Sequence, residues 1–256
     1  MEIVIAKNSG FCYGVKRALQ LARKTRKRNK QQVFTWGELI HNPQVIDQLE
    51  EQGIQVATSL SQLKAGDTVI IRSHGVSPAV HRSLKRKKVK IIDATCPIVK
   101  KIQKTVENIS RKSGEIIIVG NKSHPEIKGL VGYSRGRAVV VENEDQAQAL
   151  PFRKKRTVLA QSTQDGDVFS RVVAVLSQKT AELTVFNTIC QFTRIRQEAT
   201  AELARQVEAL FIIGGKNSSN TNKLYQISRR LLPRTYFLES PQEINPEMLR
   251  GVKIIG

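Results

Sequence analysis

The stretch Val89-Lys90-Ile91-Ile92-Asp93-Ala94-Thr95-Cys96-Pro97-Ile98-Val99 decides the fold. Its β-branched opening reads as a strand over Val89–Ile92 and Asp93-Ala94-Thr95 reads as a turn. Pro97 suits the first position of a helix, and Ile98, Ile102, Val106 and Ile109 follow at helical spacing. Cys96 therefore falls where a strand gives way to a helix, the edge of an open α/β sheet at which ligands usually bind.

Moving outward, the same pattern occurs twice more. Ile3-Val4-Ile5 leads through the turn-forming Asn8-Ser9-Gly10 to Cys12, and an amphipathic helix is expected over Tyr13–Arg26. Leu183–Phe186 leads through Asn187-Thr188-Ile189 to Cys190, with a helix expected over Thr193–Val207. The cysteines thus mark an internal repeat of roughly 90 residues. Chance burial of three thiols would not place one at the same point of every unit.

A second strand follows each cysteine helix and ends in a polar loop. Val33-Phe34-Thr35 runs to His41, Ile116–Val119 to His124, and Phe211-Ile212-Ile213 to Ser218. A further strand, Val69–Ile71, ends at Ser73-His74-Gly75, and Val158-Leu159 ends at Gln161-Ser162-Thr163. If the units pack around a common axis with these strand ends inward, the cysteines and polar loops converge on one pocket. His81, inside a basic helix-like stretch, is expected to be exposed and is set aside.

At 256 residues and 40% hydrophobic content the chain can bury real cores. Its longest apolar runs, Thr68–Ile71 and Glu115–Gly120, are strand-length, far short of the roughly 20 residues a membrane helix needs. The N-terminus lacks the basic region, apolar stretch and cleavage site of a signal peptide, so a cytoplasmic location is expected. Three cysteines without an export signal argue against a disulfide framework. The net charge of +20, with blocks at Arg23–Lys30, Lys85–Lys88 and Arg153–Arg156, points to anionic ligands or partners. Two of these blocks close helix-like segments, where cations complement the carbonyl terminus, so solvated helix ends are the plainest explanation.

Three widely spaced thiolates suit a cubane iron-sulfur cluster with three irons ligated by cysteine and one left open. Structural zinc is the weaker alternative, because its ligands usually come in closely spaced pairs. The histidines in the polar loops suit a diphosphate, since an imidazole with an ordinary pKa of about 6.5 can carry charge or pass protons. Lys216-Asn217-Ser218-Ser219-Asn220 precedes a helix expected from Thr221, where backbone amides can receive phosphate oxygens. Taken alone, that loop is an ordinary turn. Glu126, two residues after His124, is the carboxylate placed to reach the pocket, and desolvation would keep it protonated long enough to donate.

Several motifs carry a resemblance. They are Gly10-Phe11-Cys12-Tyr13-Gly14-Val15, Ile40-His41-Asn42-Pro43, Arg72-Ser73-His74-Gly75, Asp93-Ala94-Thr95-Cys96-Pro97 and Ser123-His124-Pro125-Glu126. Asn187-Thr188-Ile189-Cys190, Arg196-Gln197-Glu198-Ala199 and Lys216-Asn217-Ser218-Ser219-Asn220 complete the set. In this order, and over essentially the whole chain, they resemble the hydroxymethylbutenyl diphosphate reductase family, known as LytB or IspH.

The resemblance implies an α/β fold of three pseudo-equivalent lobes, a trefoil around a central [4Fe-4S] cluster held by Cys12, Cys96 and Cys190. The lobes would be residues 14–95, 96–185, and 186–256 together with 1–13. It implies that His41, His74, His124, Ser162, Thr163, Ser218, Ser219 and Asn220 surround the diphosphate, with Glu126 and His124 as the catalytic pair and Glu126 supplying protons. The implied reaction is reductive dehydroxylation of 4-hydroxy-3-methylbut-2-enyl diphosphate to isopentenyl and dimethylallyl diphosphate, the last step of the methylerythritol phosphate pathway. No flavin or nicotinamide fingerprint is present, so a ferredoxin or flavodoxin is the implied electron donor, attracted by the basic exterior.

Two departures stand out. Ser162-Thr163 replaces the family's two threonines, which keeps a hydroxyl but removes a methyl. The third unit reaches a last strand, Val252–Ile255, and the sequence ends at Gly256 where an inward polar loop and a closing helix are expected. The third lobe is therefore expected to be truncated, with activity weakened or lost. The alternative from another class is a truncated, inactive homologue that binds nucleic acid through its basic surface. Against it, aromatics are only 5% and do not interleave with the basic blocks. A zinc-dependent hydrolase is the third reading.

Overall fold

The structure is a computed structural model describing residues 1–256. The chain opens with β1 (Glu2–Ile3), α1 (Tyr13–Arg28), β2 (Val33–Trp36), α2 (Pro43–Glu51), β3 (Ile54–Ala57), β4 (Thr68–Ile71), α3 (Pro78–Arg86) and β5 (Lys90–Asp93). It continues with α4 (Pro97–Ile109), β6 (Glu115–Val119), α5 (Pro125–Tyr133), β7 (Ala138–Val141), α6 (Glu144–Gln148), β8 (Arg153–Ala160), α7 (Gly166–Gln178) and β9 (Thr180–Phe186). It ends with α8 (Gln191–Ala204), β10 (Leu210–Ile213), α9 (Ser219–Leu231), β11 (Thr235–Leu238) and β12 (Ile254–Ile255).

Every strand pair is parallel, because a helix or a long crossover separates each strand from the next. Two four-stranded sheets have the orders β3-β2-β4-β5 and β7-β6-β8-β9. The remaining strands pair as β10-β11 and β1-β12. A parallel bridge from Ala209 to Ile255 and a 2.9 Å bond from the Phe211 amide to the Gly256 carbonyl join these pairs. The third sheet thus runs β11-β10-β12-β1, the order of the other two, with the N-terminal strand completing the C-terminal sheet.

The first two sheets are covered on both faces. Ala18, Leu19 and Ala22 of α1 and Val45 and Leu49 of α2 pack on Val33, Ile54 and Ile70, while Leu84 of α3 meets Phe34, Val69 and Ile71 opposite. In the second sheet α4 and α5 cover Ile116, Ile118 and Leu159, and Phe169, Val172 and Leu176 of α7 cover Ile117, Val119 and Val158. Fully burying a Val, Leu, Ile or Phe side chain of this set contributes about 1.5–3 kcal/mol relative to exposure. The third sheet is covered on one face, by Leu203 and Ala204 of α8 and Leu224 and Tyr225 of α9 against Leu210 and Ile212. On its other face Ile3, Ile5 and Ile213 are 66%, 75% and 48% exposed.

Some element limits differ from the sequence reading. The first strand covers only Glu2–Ile3 and the last only Ile254–Ile255, since each has just one regular partner. The third cysteine helix starts at Gln191, directly after Cys190, and stops at Ala204. The basic blocks also divide. Arg26, Lys27 and Arg28 close α1, and Lys85 and Arg86 close α3, as solvated helix ends would. Arg156 instead lies inside β8 and is wholly buried, with its Nε 2.7 Å from Glu115 and its Nη atoms on the Lys179 and Pro151 carbonyls. His81 on α3 is half-buried rather than exposed.

Candidate functional site

Cys12, Cys96 and Cys190 each stand immediately before a helix, α1, α4 and α8, at the capping position. None of the three thiols caps its helix, so all remain free, each at the N-terminus of its helix. The backbone ties them to the polar loops. The Cys96 amide donates to the Ser73 carbonyl at 2.9 Å and the Cys190 amide to the Ser162 carbonyl at 2.8 Å. Arg196 of α8 donates from Nε to the Asn8 carbonyl at 3.0 Å and from Nη2 to the Gly10 carbonyl, clamping the turn before Cys12. In that turn Asn8 (φ 62°) and Gly10 (φ 80°) adopt left-handed backbone.

The thiols are neighbours. A Cβ added at Gly14 would lie 2.7 Å from the Cys96 sulfur and 3.9 Å from that of Cys12. Burial pushes the Cys96 thiol up, the Ile98 and Val99 amides oppose this, and the nearby Cys12 and Cys190 push it further up. Three unpartnered soft ligands crowded together, each with its helix amides behind it, fit an iron-sulfur cluster that would hold them as thiolates.

Three imidazoles meet above them. His41 and His74 stack with centroids 4.4 Å apart, and His124 meets them edge-on at 5.4 and 5.2 Å. Burial, then His41, His124 and Arg72, holds His74 well below the ordinary imidazole value. Burial, then His41 and Arg72, lowers His124 to about 3. His124 caps α5, its Nδ1 accepting from the Glu126 amide at 3.1 Å. Its neutral ring therefore carries the proton on Nε2 and is a donor. The ligand atoms of the three rings lie within 4.8 Å of one another, close enough for a metal, but a ring that presents N–H suits an anion better than a cation. His41 Nε2 and His74 Nδ1 are buried without partners.

Glu126 is 2% exposed and accepts from Ser162 twice, the amide at 2.7 Å and the hydroxyl at 2.6 Å. Burial raises its pKa, and the two Ser162 bonds partly offset the rise. The Ser162 hydroxyl is thus turned onto Glu126. Thr163 Oγ1 donates to Ser219 at 2.8 Å, and Ser218 caps α9 by accepting from the Thr221 amide at 3.3 Å. Together with Asn220, these hydroxyls surround the α9 N-terminus.

The three cysteines, His41, His74, His124, Glu126 and the hydroxyl and amide groups from Ser162 to Asn220 expected at the site all line one cavity of about 730 Å³. A second, almost wholly polar cavity of about 760 Å³ lies across the histidines and is bordered by Glu38, Arg72, Lys216 and Lys223. Sequence reasoning gave no role to Glu38, Arg72 or Gln161. Gln161 joins two polar loops, accepting from the Asn121 amide at 3.0 Å and donating to Ser219 at 3.3 Å. Glu38 faces His41 Nδ1 at 3.0 Å. Arg72 and Gln161 lay inside quoted stretches, Arg72-Ser73-His74-Gly75 and Gln161-Ser162-Thr163, whereas the only signal for Glu38 was its place three residues before His41.

Fold and site together define an all-parallel α/β protein whose strand-to-helix turns present thiols and imidazoles to a common cavity. The chain belongs to the LytB family: the family described as LytB protein matches residues 3–256. A relative from Caldanaerobacter subterraneus subsp. tengcongensis, named 4-hydroxy-3-methylbut-2-enyl diphosphate reductase, is 45% identical over 259 residues, covering 100% of this chain and 90% of its own length. One of the same name from Geobacter metallireducens is 43% identical over 256 residues, with the same coverage. Among solved structures, the Plasmodium falciparum E-1-hydroxy-2-methyl-but-2-enyl-4-diphosphate reductase superposes with a TM-score of 0.95 at 28% identity, covering 99% of this chain and 81% of that one. An (E)-4-hydroxy-3-methyl-but-2-enyl diphosphate reductase described as the terminal enzyme of the non-mevalonate pathway gives 0.72 at 42% identity, covering 100% and 92%. No helix is long and apolar enough to cross a membrane.

Proposed function

We propose that this chain reduces 4-hydroxy-3-methylbut-2-enyl diphosphate to isopentenyl and dimethylallyl diphosphate, consuming two electrons and two protons and releasing water. The observation that carries this reading is the single cavity onto which three free cysteines, three imidazoles and a buried carboxyl all open. We place it in three lobes around that cavity, residues 14–95, 96–185, and 186–256 with 1–13. Its relatives give the nucleic-acid alternative no support.

Cys12, Cys96 and Cys190 would hold a [4Fe-4S] cluster, which would supply electrons and Lewis acidity towards the hydroxyl to be lost. The protein's own residues do the rest. His41, His74 and His124, with Ser218, Ser219, Asn220 and Thr163, bind the diphosphate, and His124 donates through Nε2. That end of the molecule does not react, so its binding energy positions the end that does. Glu126, its protonated form favoured by burial, releases a proton towards the allylic end, and the two Ser162 bonds stabilise the carboxylate left behind. Protonation at either end of the allylic system yields the two products. Electrons arrive from a small acidic carrier, a ferredoxin or flavodoxin, in a salt-sensitive encounter with the +20 chain in the cytoplasm.

The test is anaerobic preparation, iron and sulfide analysis, and reductant-driven turnover of the allylic diphosphate. About four irons per chain with turnover is the expected result. A chain that binds no iron but retains zinc would overturn the cluster, and a loaded chain without turnover would overturn the reductase assignment.

A further inference from the structure

The three imidazoles are not equivalent, and the difference lies in what each Nδ1 does. His124 Nδ1 accepts a backbone N–H, so its neutral ring already offers Nε2–H to an anion. His41 is wired the other way. Its Nδ1 stands 3.0 Å from the Glu38 carboxylate, which can only accept when ionised, so the proton of the neutral ring sits on Nδ1. Its Nε2 is then a bare lone pair, and that atom is buried without a partner at the wall shared by the two cavities. A deprotonated phosphoryl oxygen, only an acceptor, cannot bond to that atom until the ring takes a second proton.

The groups facing His41 are few. Glu38 comes from its own loop, His74 and Arg72 from the loop after β4, and His124 from the start of α5. The backbone at Gly215 packs on the His41 carbonyl, and Lys216 beside it borders the second cavity. Glu126 and Glu142 also border the two cavities, and Glu38 is the carboxylate that reaches the ring. Burial lowers Arg72, and Glu38 opposes the shift, though no ion pair forms between them. His74 and His124 are both held towards the neutral state by burial.

We propose that Glu38 is a positioning residue that fixes the His41 tautomer and serves as counter-ion to the imidazolium formed when a diphosphate binds, so that binding draws one proton into the site. This rests on the diphosphate reading above. The proton comes from solvent and bonds to Nε2, no other bond changes, and the ring then donates from both nitrogens, to Glu38 and to the anion. Glu38 is well placed to act without being essential to folding, since its side chain is 43% exposed.

Calorimetry of inorganic pyrophosphate binding to the cluster-loaded chain, in two buffers of different ionisation enthalpy, reads the proton directly. Glu38→Gln should take up about one proton fewer than the unaltered chain. It should also bind pyrophosphate about tenfold more weakly, in line with the loss of a hydrogen bond to a charged group. In turnover the loss should appear in KM, with kcat little changed. His41→Asn should abolish the same proton, and adding Glu38→Gln to it should change nothing further. Unchanged uptake in a Glu38→Gln chain that keeps its iron would overturn this inference and leave the reductase reading intact. Failure of the unaltered chain to bind pyrophosphate would overturn both.

Discussion

Glu126 and His124 stand two residues apart, share a hydrogen bond, and are driven in opposite directions by the same burial. Low dielectric penalises whichever form is charged, so the carboxyl rises and the imidazole falls. Replacing Glu126 by Gln keeps the shape and removes the proton, and kcat should drop by about 10²–10⁴ with iron content unchanged. A Glu126→Gln chain that turns over at full rate would remove the proton-donor role. Stability carries the imidazole signature. Below the unfolded value of about 6.5 the unfolded chain binds protons that buried His124, at about 3, and His74 refuse, so stability falls as the pH drops through that window. The slope is up to about 1.4 kcal/mol per pH unit per ring. Glu126 acts oppositely, its contribution present below the unfolded carboxyl value and lost as the pH rises through its raised one. Urea midpoints from pH 7 to 5 should therefore decrease, and His124→Asn should flatten the trend. At this scale the sequence was informative where a residue sat in a motif, as His124 and Glu126 do. It was mute on Glu38, whose role depends on a loop turning it back onto His41.

The strand-to-helix turn is the unit that repeats, and its first helical turn is under the tightest constraint. Gly14 is in the first turn of α1, where a methyl would meet the Cys96 sulfur at 2.7 Å. Gly14→Ala should leave helicity intact, since Ala is the better helix former, yet displace the thiol. Iron analysis should find roughly half the normal content or less, against the full four expected of a cubane. These turns were legible because a β-branched run, a cysteine and a 3.6-residue period adjoin in each. The Arg153–Arg156 block was not, because a run of cations looks the same on a solvated helix end as at the start of a strand. What distinguishes Arg156 is tertiary: Glu115 on the neighbouring strand and two carbonyls receive its guanidinium. Arg156→Ala removes the guanidinium from those carbonyls and leaves Glu115 with its 3.9 Å contact to Arg153, and should cost about 1–3 kcal/mol in chemical denaturation. A loss below about 1 kcal/mol, typical of an exposed pair, would show the bridge to be structurally idle.

Across the whole molecule the three sheets share one strand order but not one degree of burial. The first two have helices on both faces, while the third leaves Ile3, Ile5 and Ile213 open on one side and is held together at its centre by three backbone hydrogen bonds around the Ala209–Ile255 bridge, next to two-residue strands. Local opening free energy follows such differences in buried apolar contact. Amides of β1, β10 and β12 should therefore exchange with solvent before those of β2, β4, β6 and β8. The consequence for function follows from the topology. β1 leads directly into the Cys12 turn, Arg196 of α8 clamps that turn, and Cys190 heads α8, so two of the three thiols adjoin elements of the least protected sheet. A group that bonds all three cysteines binds the closed arrangement and not the open one, and must stabilise the third sheet more than the other two. Native-state hydrogen exchange of cluster-free and cluster-loaded chains should accordingly show the largest gain in protection in β1, β10 and β12. An equal gain in all three sheets would mean that the weak lobe is not opened separately from the rest, and that cluster binding is coupled to global folding instead.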